Sequence, residues 1–252
     1  MLRTDLHPSL KNGLLARLPE DDISALAPLL QPATLKQREV LFEPFRPIEH
    51  LHFFETGLSS EIAGGTGSEH IEVGCTGHEG VSGVPLILGV ESTPHLSVMQ
   101  VGGFAYRMRS SELRRAMDMS PSLRRLLLQY AHVFMIQLAA TALADGRYRI
   151  EERLARWLLM CQDRVAGSLP LTHEFLALML GVRRPSVTDA LHVLEGRRLI
   201  KAERGLIVVR DRAGLVELAG GSYGLPEAEY RRIIAQDRPP AAFSSPSAPS
   251  GN

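Results

Sequence analysis

Between Thr172 and His192 the chain gathers side chains suited to bonding a nucleic acid: Thr172, His173, Arg183, Arg184, Ser186, Thr188, Asp189 and His192. An arginine can grip guanine O6 and N7 with two N–H groups, or take a phosphate. Ser186 can bond phosphate or base. Asp189 can accept from cytosine N4, but it repels phosphates and can equally orient Arg184 or His192. These residues act together only if one face of one element presents them.

The surrounding sequence supplies that element. In LTHEFLALMLGVRRPSVTDALHVLEGRRLIKAERGLIVVR (171–210) Thr172 can cap a first helix. Phe175, Leu176, Met179 and Leu180 recur at three- and four-residue steps on one side of it. Gly181 breaks it at a tight turn. A second helix follows from about Arg184 to Leu194, with Val187, Ala190, Leu191 and Leu194 inward and Pro185, Ser186, Thr188, Asp189 and His192 outward. Pro185 biases Arg184 away from helical geometry, so the start is fixed only to within a residue, and which arginine reaches a base stays open. Leu199–Arg210 reads as a hairpin turning at Glu203-Arg204-Gly205. Helix, glycine turn, polar-faced helix and hairpin make a winged helix-turn-helix.

LTHEFLALMLGV, RRPSVTDALHVLEGRRLI and ERGLIVV together resemble the C-terminal domain of the Crp/Fnr family of bacterial transcription regulators. The resemblance implies an α+β chain in four parts. Residues 1–120 would be a jelly-roll-like, double-stranded β-roll with N-terminal helices, and 121–145 a dimerisation helix and hinge. Residues 146–220 would be the DNA-binding domain and 221–252 a partly disordered tail. It also implies a cytoplasmic homodimer that binds double-stranded DNA and RNA polymerase, with no enzymatic activity and no cofactor. Thr172 and His173 fall where the family contacts phosphate; His173 replaces a common arginine, which makes that contact weaker and pH-sensitive. Pro185 replaces a common glutamate, so the family's target sequence does not carry over.

The rest of the chain fits two modest cores. It has 252 residues, 44% of them hydrophobic. Net charge is formally zero, but residues 147–215 carry 13 Lys/Arg against 8 Asp/Glu, whereas residues 1–146 carry 12 against 16. The positive surplus thus lies in the segment assigned to DNA, where phosphate neutralisation supplies affinity. Cys75 and Cys161 are too few and too far apart for a disulfide scaffold and fit a reducing compartment. There is no run of eighteen apolar residues and no apolar stretch near the N-terminus, so neither a spanning helix nor a secretory signal is expected.

Residues 7–30 read as helical, ended by Pro32. From Lys36 to Arg109 short apolar runs alternate with turn clusters, as strands of a roll do. Ser120 and Pro121 open a long helix to about Leu143 that is apolar nearly all round and must be covered on several sides. The roll can cover one side and a second subunit another. Asp145-Gly146 is the candidate hinge, and Arg147–Ala166 a helix with Leu154, Trp157, Leu158 and Cys161 inward. Asp211 caps a short helix to Leu218, residues 222–237 are partly ordered, and 238–252 are rich in Pro, Ser and Ala and expected to be disordered.

Two further clusters bear on ligands. Cyclic-nucleotide binders of the resembled family carry a Gly-Glu pair and an Arg-Ser pair for the cyclic phosphate. Here the matching stretches give Gly77, Glu79 and Gly80, then His95 and Ser97, with no arginine between Arg46 and Arg107. A phosphate would lack its counter-charge, so the effector is another small molecule or none. An iron–sulfur sensor would need four clustered cysteines. The rival reading is a metal-binding, cupin-like roll using His50, His52 and Glu55, since His50 and His52 share a strand face. The usual glycine before and third histidine after are missing, and no metal site is assigned.

Overall fold

The computed structural model describes residues 10–64, 70–165 and 167–235. The chain enters through helical turns around Leu15–Arg17 and α1 (Glu20–Leu26), and Asn12 anchors the entry. Its amide donates to the carbonyls of Phe54 and Gly80, and its carbonyl oxygen accepts from the Leu14 and Leu15 N–H groups. The helical segment stops short of Pro32. That proline lies inside β1 (Gln31–Leu35), which pairs only with β8, so its missing N–H costs no ladder bond.

The roll follows with β2 (Val40–Phe42), β3 (His50–Phe54), β4 (Leu58–Gly64), β5 (His70–Thr76), β6 (Val81–Ser82), one helical turn α2 (Val84–Ile87), β7 (Leu96–Val101) and β8 (Gly103–Arg109). Two antiparallel four-stranded sheets result, ordered β1-β8-β3-β6 and β2-β7-β4-β5. Leu35, Phe54, Met99 and Ala105 fill the space between them. Leu51 and Phe53, on alternate positions of β3, instead join a core with Leu123, Leu127 and Tyr130. Strand β3 is therefore buried on both faces, which its unbroken HLHFF pattern reflects.

A helix not anticipated from sequence, α3 (Ser110–Met119), leads into α4 (Pro121–Arg147). Ser120 caps α4 by accepting from the Leu123 N–H at 3.0 Å, and Pro121 takes the first turn. Contrary to expectation, Asp145 and Gly146 are still helical; the chain breaks at Tyr148, which is extended (ψ 151°). Although the sequence holds no unbroken run of eighteen apolar residues, α4 is long and apolar enough by length and composition to cross a bilayer. Leu123, Leu127, Tyr130 and Phe134 are instead buried against protein, as are the polar Gln137 and Thr141.

The C-terminal half comprises α5 (Ile150–Arg164), α6 (His173–Leu180), α7 (Arg184–Gly196), the hairpin β9 (Ile200–Glu203) and β10 (Leu206–Val209), α8 (Arg212–Ala219) and α9 (Leu225–Tyr230), which runs on into a wider turn, Arg231–Ala235. Residues 236–252, including the stretch expected to be disordered, lie outside the described residues. The two halves share one core. Leu58, Ile62 and Cys75 of the roll pack with Leu154, Trp157, Leu158 and Cys161 of α5. The two cysteines are free thiols in this core, and burial pushes both thiols up, away from the reactive thiolate.

Candidate nucleic-acid interface

The α6–α7 unit is assembled from local signals. The Thr172 hydroxyl accepts from the Phe175 N–H at 3.2 Å and starts α6. Gly181 ends it at φ +60°, a left-handed conformation that suits glycine. Arg183 is the extended residue ahead of α7, and Arg184 is its first helical residue. Pro185 therefore does not displace Arg184; it occupies the first turn, where a missing N–H is harmless. Val187, Ala190, Leu191 and Leu194 are buried beneath.

The outward face is open to solvent. Arg183, Arg184, Pro185, Asp189 and His192 are exposed, and Ser186 is half-buried. Arg184 donates to Glu174 of α6 at 2.9 Å, with both side chains about two-thirds exposed (63% and 67%). Glu174, rather than Asp189, thus orients Arg184. Such an exposed pair is worth ~0–1 kcal/mol and yields readily to a phosphate or a base. Thr188 and His173 are brought together: His173 Nδ1 lies 3.0 Å from Thr188 Oγ1, which also donates to the Arg184 carbonyl. This tie sets the angle at which the opening of α6 meets α7. The wing turns at Gly205 (φ +74°) and is braced by the Leu169 N–H and carbonyl, which bond Ile207 at 2.8 and 2.9 Å.

Residues 152–218 match the family model of the Crp-like helix-turn-helix domain. This segment is a Crp-like helix-turn-helix domain. No curated protein matches the sequence significantly. Solved structures similar in fold cover most of the chain. FixK2 of Bradyrhizobium japonicum is 19% identical, with a TM-score of 0.63 over 76% of this chain and 98% of its own. TTHB099, a CRP-family transcriptional regulator of Thermus thermophilus, is 18% identical, with 0.61 over 76% and 98%. The c-di-GMP-responsive regulator CLP of Xanthomonas campestris is 17% identical, with 0.60 over 76% and 99%. The chain therefore has the Crp/Fnr architecture: β-roll, long helix, then the Crp-like domain.

The residues matched to the family's effector pocket do other work here. Gly77 lets Arg164 of α5 pass: a Cβ there would meet the Arg164 Cβ at 2.7 Å. Gly80 does the same for the Tyr130 ring, at 2.2 Å. Glu79 accepts from Arg164 Nε at 2.7 Å and from the Gly77 N–H at 3.0 Å. His95 lies 3.0 Å from Glu61, which raises the imidazole pKa mainly through that hydrogen bond. Ser97 is buried in β7. Glu79 and His95 are thus tied to separate partners, and the cavity that Glu79 lines includes neither His95 nor Ser97. The cation missing from the local sequence arrives from α5 as Arg164, already answered by Glu79.

The histidine cluster is also accounted for. His52 is buried, 3.2 Å from Ser82 Oγ, and burial lowers its pKa to about 4. His50 is also lowered, chiefly by burial. Both Glu55 oxygens accept N–H groups, from Lys11 and Asn12. Among the described residues no group of three His, Cys, Asp or Glu side chains could hold a metal ion.

A polar junction between the halves was invisible in the sequence. Trp157 Nε1 donates to Glu72 Oε1 at 2.8 Å, and Ser60 donates to Oε2 of the same carboxylate at 2.5 Å. Glu72 is wholly buried, and burial lifts its pKa to about 7 against the pull of those two donors. Nearby, Arg153 pairs with Asp145 at 2.6 Å and donates to the Leu180 carbonyl at 2.5 Å, tying the end of α4 to the end of α6.

Proposed function

We propose that the protein is a homodimeric transcription regulator that reads a specific duplex sequence with α7 in the major groove. The observation that carries this reading is the bare face of α7, fronted by Arg183 and Arg184, on a Crp-like helix-turn-helix. Thr172 and His173 would take phosphates at the opening of α6. Arg183 or Arg184, with Ser186, Asp189 and His192, would face base edges or backbone.

The dimer reading rests on α4. Leu128, His132, Met135, Ala139 and Ala142 recur at alternating four- and three-residue steps, the spacing of a coiled-coil seam. Leu128, Met135 and the adjacent Leu143 are 44%, 48% and 52% exposed. A second copy of the same stripe covers them across a two-fold axis, which suits paired half-sites. Cyclic nucleotides would not be the effector: Tyr130 and Trp157 close over the roll, and Arg164 is neutralised by Glu79. A cytoplasmic location and contact with RNA polymerase complete the proposal.

Duplexes selected from a random library supply the test. Fluorescence anisotropy should show that Arg183→Ala/Arg184→Ala loses about 100-fold in affinity for the selected site, since a bidentate base contact is worth ~1–3 kcal/mol. Sedimentation should give twice the chain mass for both proteins. Unchanged affinity rejects the reading helix, and a single-chain mass rejects the dimer.

A further inference from the structure

The roll and α5 close around Glu72, a wholly buried carboxyl of β5. Its two oxygens meet Trp157 Nε1 of α5 at 2.8 Å and Ser60 Oγ of β4 at 2.5 Å. Ser60 Oγ also lies 2.9 Å from Oε1 of Gln100 in β7, and the Gln100 amide nitrogen faces Cys161 Sγ at 3.9 Å. The Ser60 hydroxyl has one proton and cannot give it to both acceptors. Two arrangements satisfy this chain of groups, and they differ by one proton. If Glu72 is protonated, it donates to Ser60, Ser60 donates to Gln100 and the Gln100 amide donates to Cys161, while Trp157 donates to the other carboxyl oxygen. If Glu72 is ionised, Ser60 turns to donate to it, and the Gln100 amide must turn over to donate to Ser60.

The surroundings favour the protonated arrangement. Two cations of α5 act on Glu72, and both are engaged elsewhere: Arg156 by the Ser222 carbonyl and the Thr141 hydroxyl, Arg164 by Glu79. Cys75 of β5 and Cys161 of α5 also act within this cluster, as neutral thiols. Glu61 of β4 meets His95, while His173 and Glu174 of α6 meet Thr188 and Arg184 of α7. From α4 comes Gln137, whose side-chain oxygen accepts from the Cys75 N–H. An ionised Glu72 therefore has two donors and no cation of its own inside the shared core. Burial raises its carboxyl to about 7, within the range over which a proton can act as a signal.

We propose that the Glu72–Trp157 bond is a pH-sensitive latch holding the helix-turn-helix domain on the roll, closed while Glu72 is protonated and loosened when it ionises. The sign follows from linkage. A carboxyl that holds its proton more tightly in the docked arrangement than in an open one favours docking at low pH. The contribution is whole below pH 4.5 and fades as pH rises through 7. Between pH 6 and pH 8 the ratio of docked to open forms should fall about 10-fold. The latch concerns how the two halves hold together and stands whether or not α7 reads DNA.

The full chain carries its own probes. Trp157 is the sole tryptophan, Cys75 and Cys161 are the sole cysteines, and all three lie in this core. Trp157 emission, titrated from about pH 5.5 to 8.5, should show a one-proton transition near pH 7 in the wild type. Glu72→Gln keeps an acceptor for Trp157 and a donor for Ser60 at every pH, and should show none. Ser60→Ala takes a donor from the ionised form and should move the midpoint to higher pH. Labelling of the two thiols by an aromatic disulfide reports opening. The wild-type rate divided by the Glu72→Gln rate at the same pH should rise about 10-fold from pH 6 to pH 8. It should depend only weakly on low urea, because opening exposes the junction and not the whole chain. A flat wild-type emission, the same transition in Glu72→Gln, a midpoint unmoved in Ser60→Ala, a constant labelling ratio, or labelling as urea-dependent as global unfolding would each overturn the proposal.

Discussion

The outer face of α7 and the inner face of α5 belong to one small domain and treat charge in opposite ways. On α7 the charged groups are exposed, and the pair that forms, Arg184 with Glu174, is weak enough for DNA to replace. On α5 Trp157 and Arg156 are buried and answered within the chain: Trp157 by Glu72, and Arg156 by the Ser222 carbonyl and the Thr141 hydroxyl. The first face is left open to solvent, as the proposed reading of DNA requires. The second holds the two halves together. Stability and recognition should therefore separate under mutation.

Trp157→Ala gives the largest expected effect. It empties a site 3% exposed in the shared core and removes a donor from a buried carboxylate, which should cost ~3–5 kcal/mol in urea unfolding. Trp157→Phe keeps most of the packing and loses the donor, for ~1–3 kcal/mol. Arg183→Ala/Arg184→Ala should change stability by no more than ~0.5 kcal/mol. A destabilisation by the arginine pair close to that of Trp157→Phe would break the contrast.

Glu72 comes next. Its carboxyl is raised from 4.5 to about 7 in the folded chain, so the folded state holds the proton more tightly than the unfolded one. Its contribution is full below pH 4.5, and stability is lost as pH rises through 7. The span is at most roughly 3 kcal/mol. His52 works the other way: lowered from 6.5 to about 4, it favours the folded state above pH 6.5 and loses that contribution as pH falls through 4. The wild-type profile mixes the two. The difference between wild type and Glu72→Gln isolates the carboxylate, and the variant should gain relative stability between pH 5 and 8. A difference that stays flat over that range would show that Glu72 is not protonated at the junction.

How far the sequence was legible follows from the same contrast. The α6–α7 unit is written in local signals: a threonine cap, a left-handed glycine and a three-to-four-residue apolar repeat, each within a few residues of what it specifies. The long helix was equally readable from Ser120-Pro121 and its apolar run. The junction was not, because Trp157–Glu72 and Arg164–Glu79 each join residues 85 apart, with no period to betray them. Gly77 and Gly80 looked like ligand-loop glycines, but they make room for Arg164 and Tyr130, which no local pattern announces. Helix α3 did leave a trace, with Leu113, Ala116 and Met117 at helical steps; it was overlooked between a strand series and a strong cap. Helix α4 was expected to stop near Leu143 because Asp145-Gly146 reads as a breaker. Arg153 pairs with Asp145, and helical geometry runs on to Arg147.

A smaller effect than those at Trp157 and Glu72 is expected where the α6–α7 turn meets the roll. Gly181, the turn between α6 and α7, faces Ile71 of β5; an added Cβ would approach the Ile71 Cδ1 at 2.7 Å. That atom is the end of a flexible side chain and can swing aside, so the steric cost is low. The backbone cost remains, because φ is +60°, and a left-handed alanine is disfavoured by ~1–2 kcal/mol. Gly181→Ala should therefore lower stability by about 1 kcal/mol. Ile71→Ala, made in the same background, isolates the contact: if Gly181 acts through its backbone alone, the two losses add to within ~0.5 kcal/mol. A coupling larger than that would mean that the turn of the reading unit and the edge of the roll move as one piece, and the separation of recognition from stability would end at this contact.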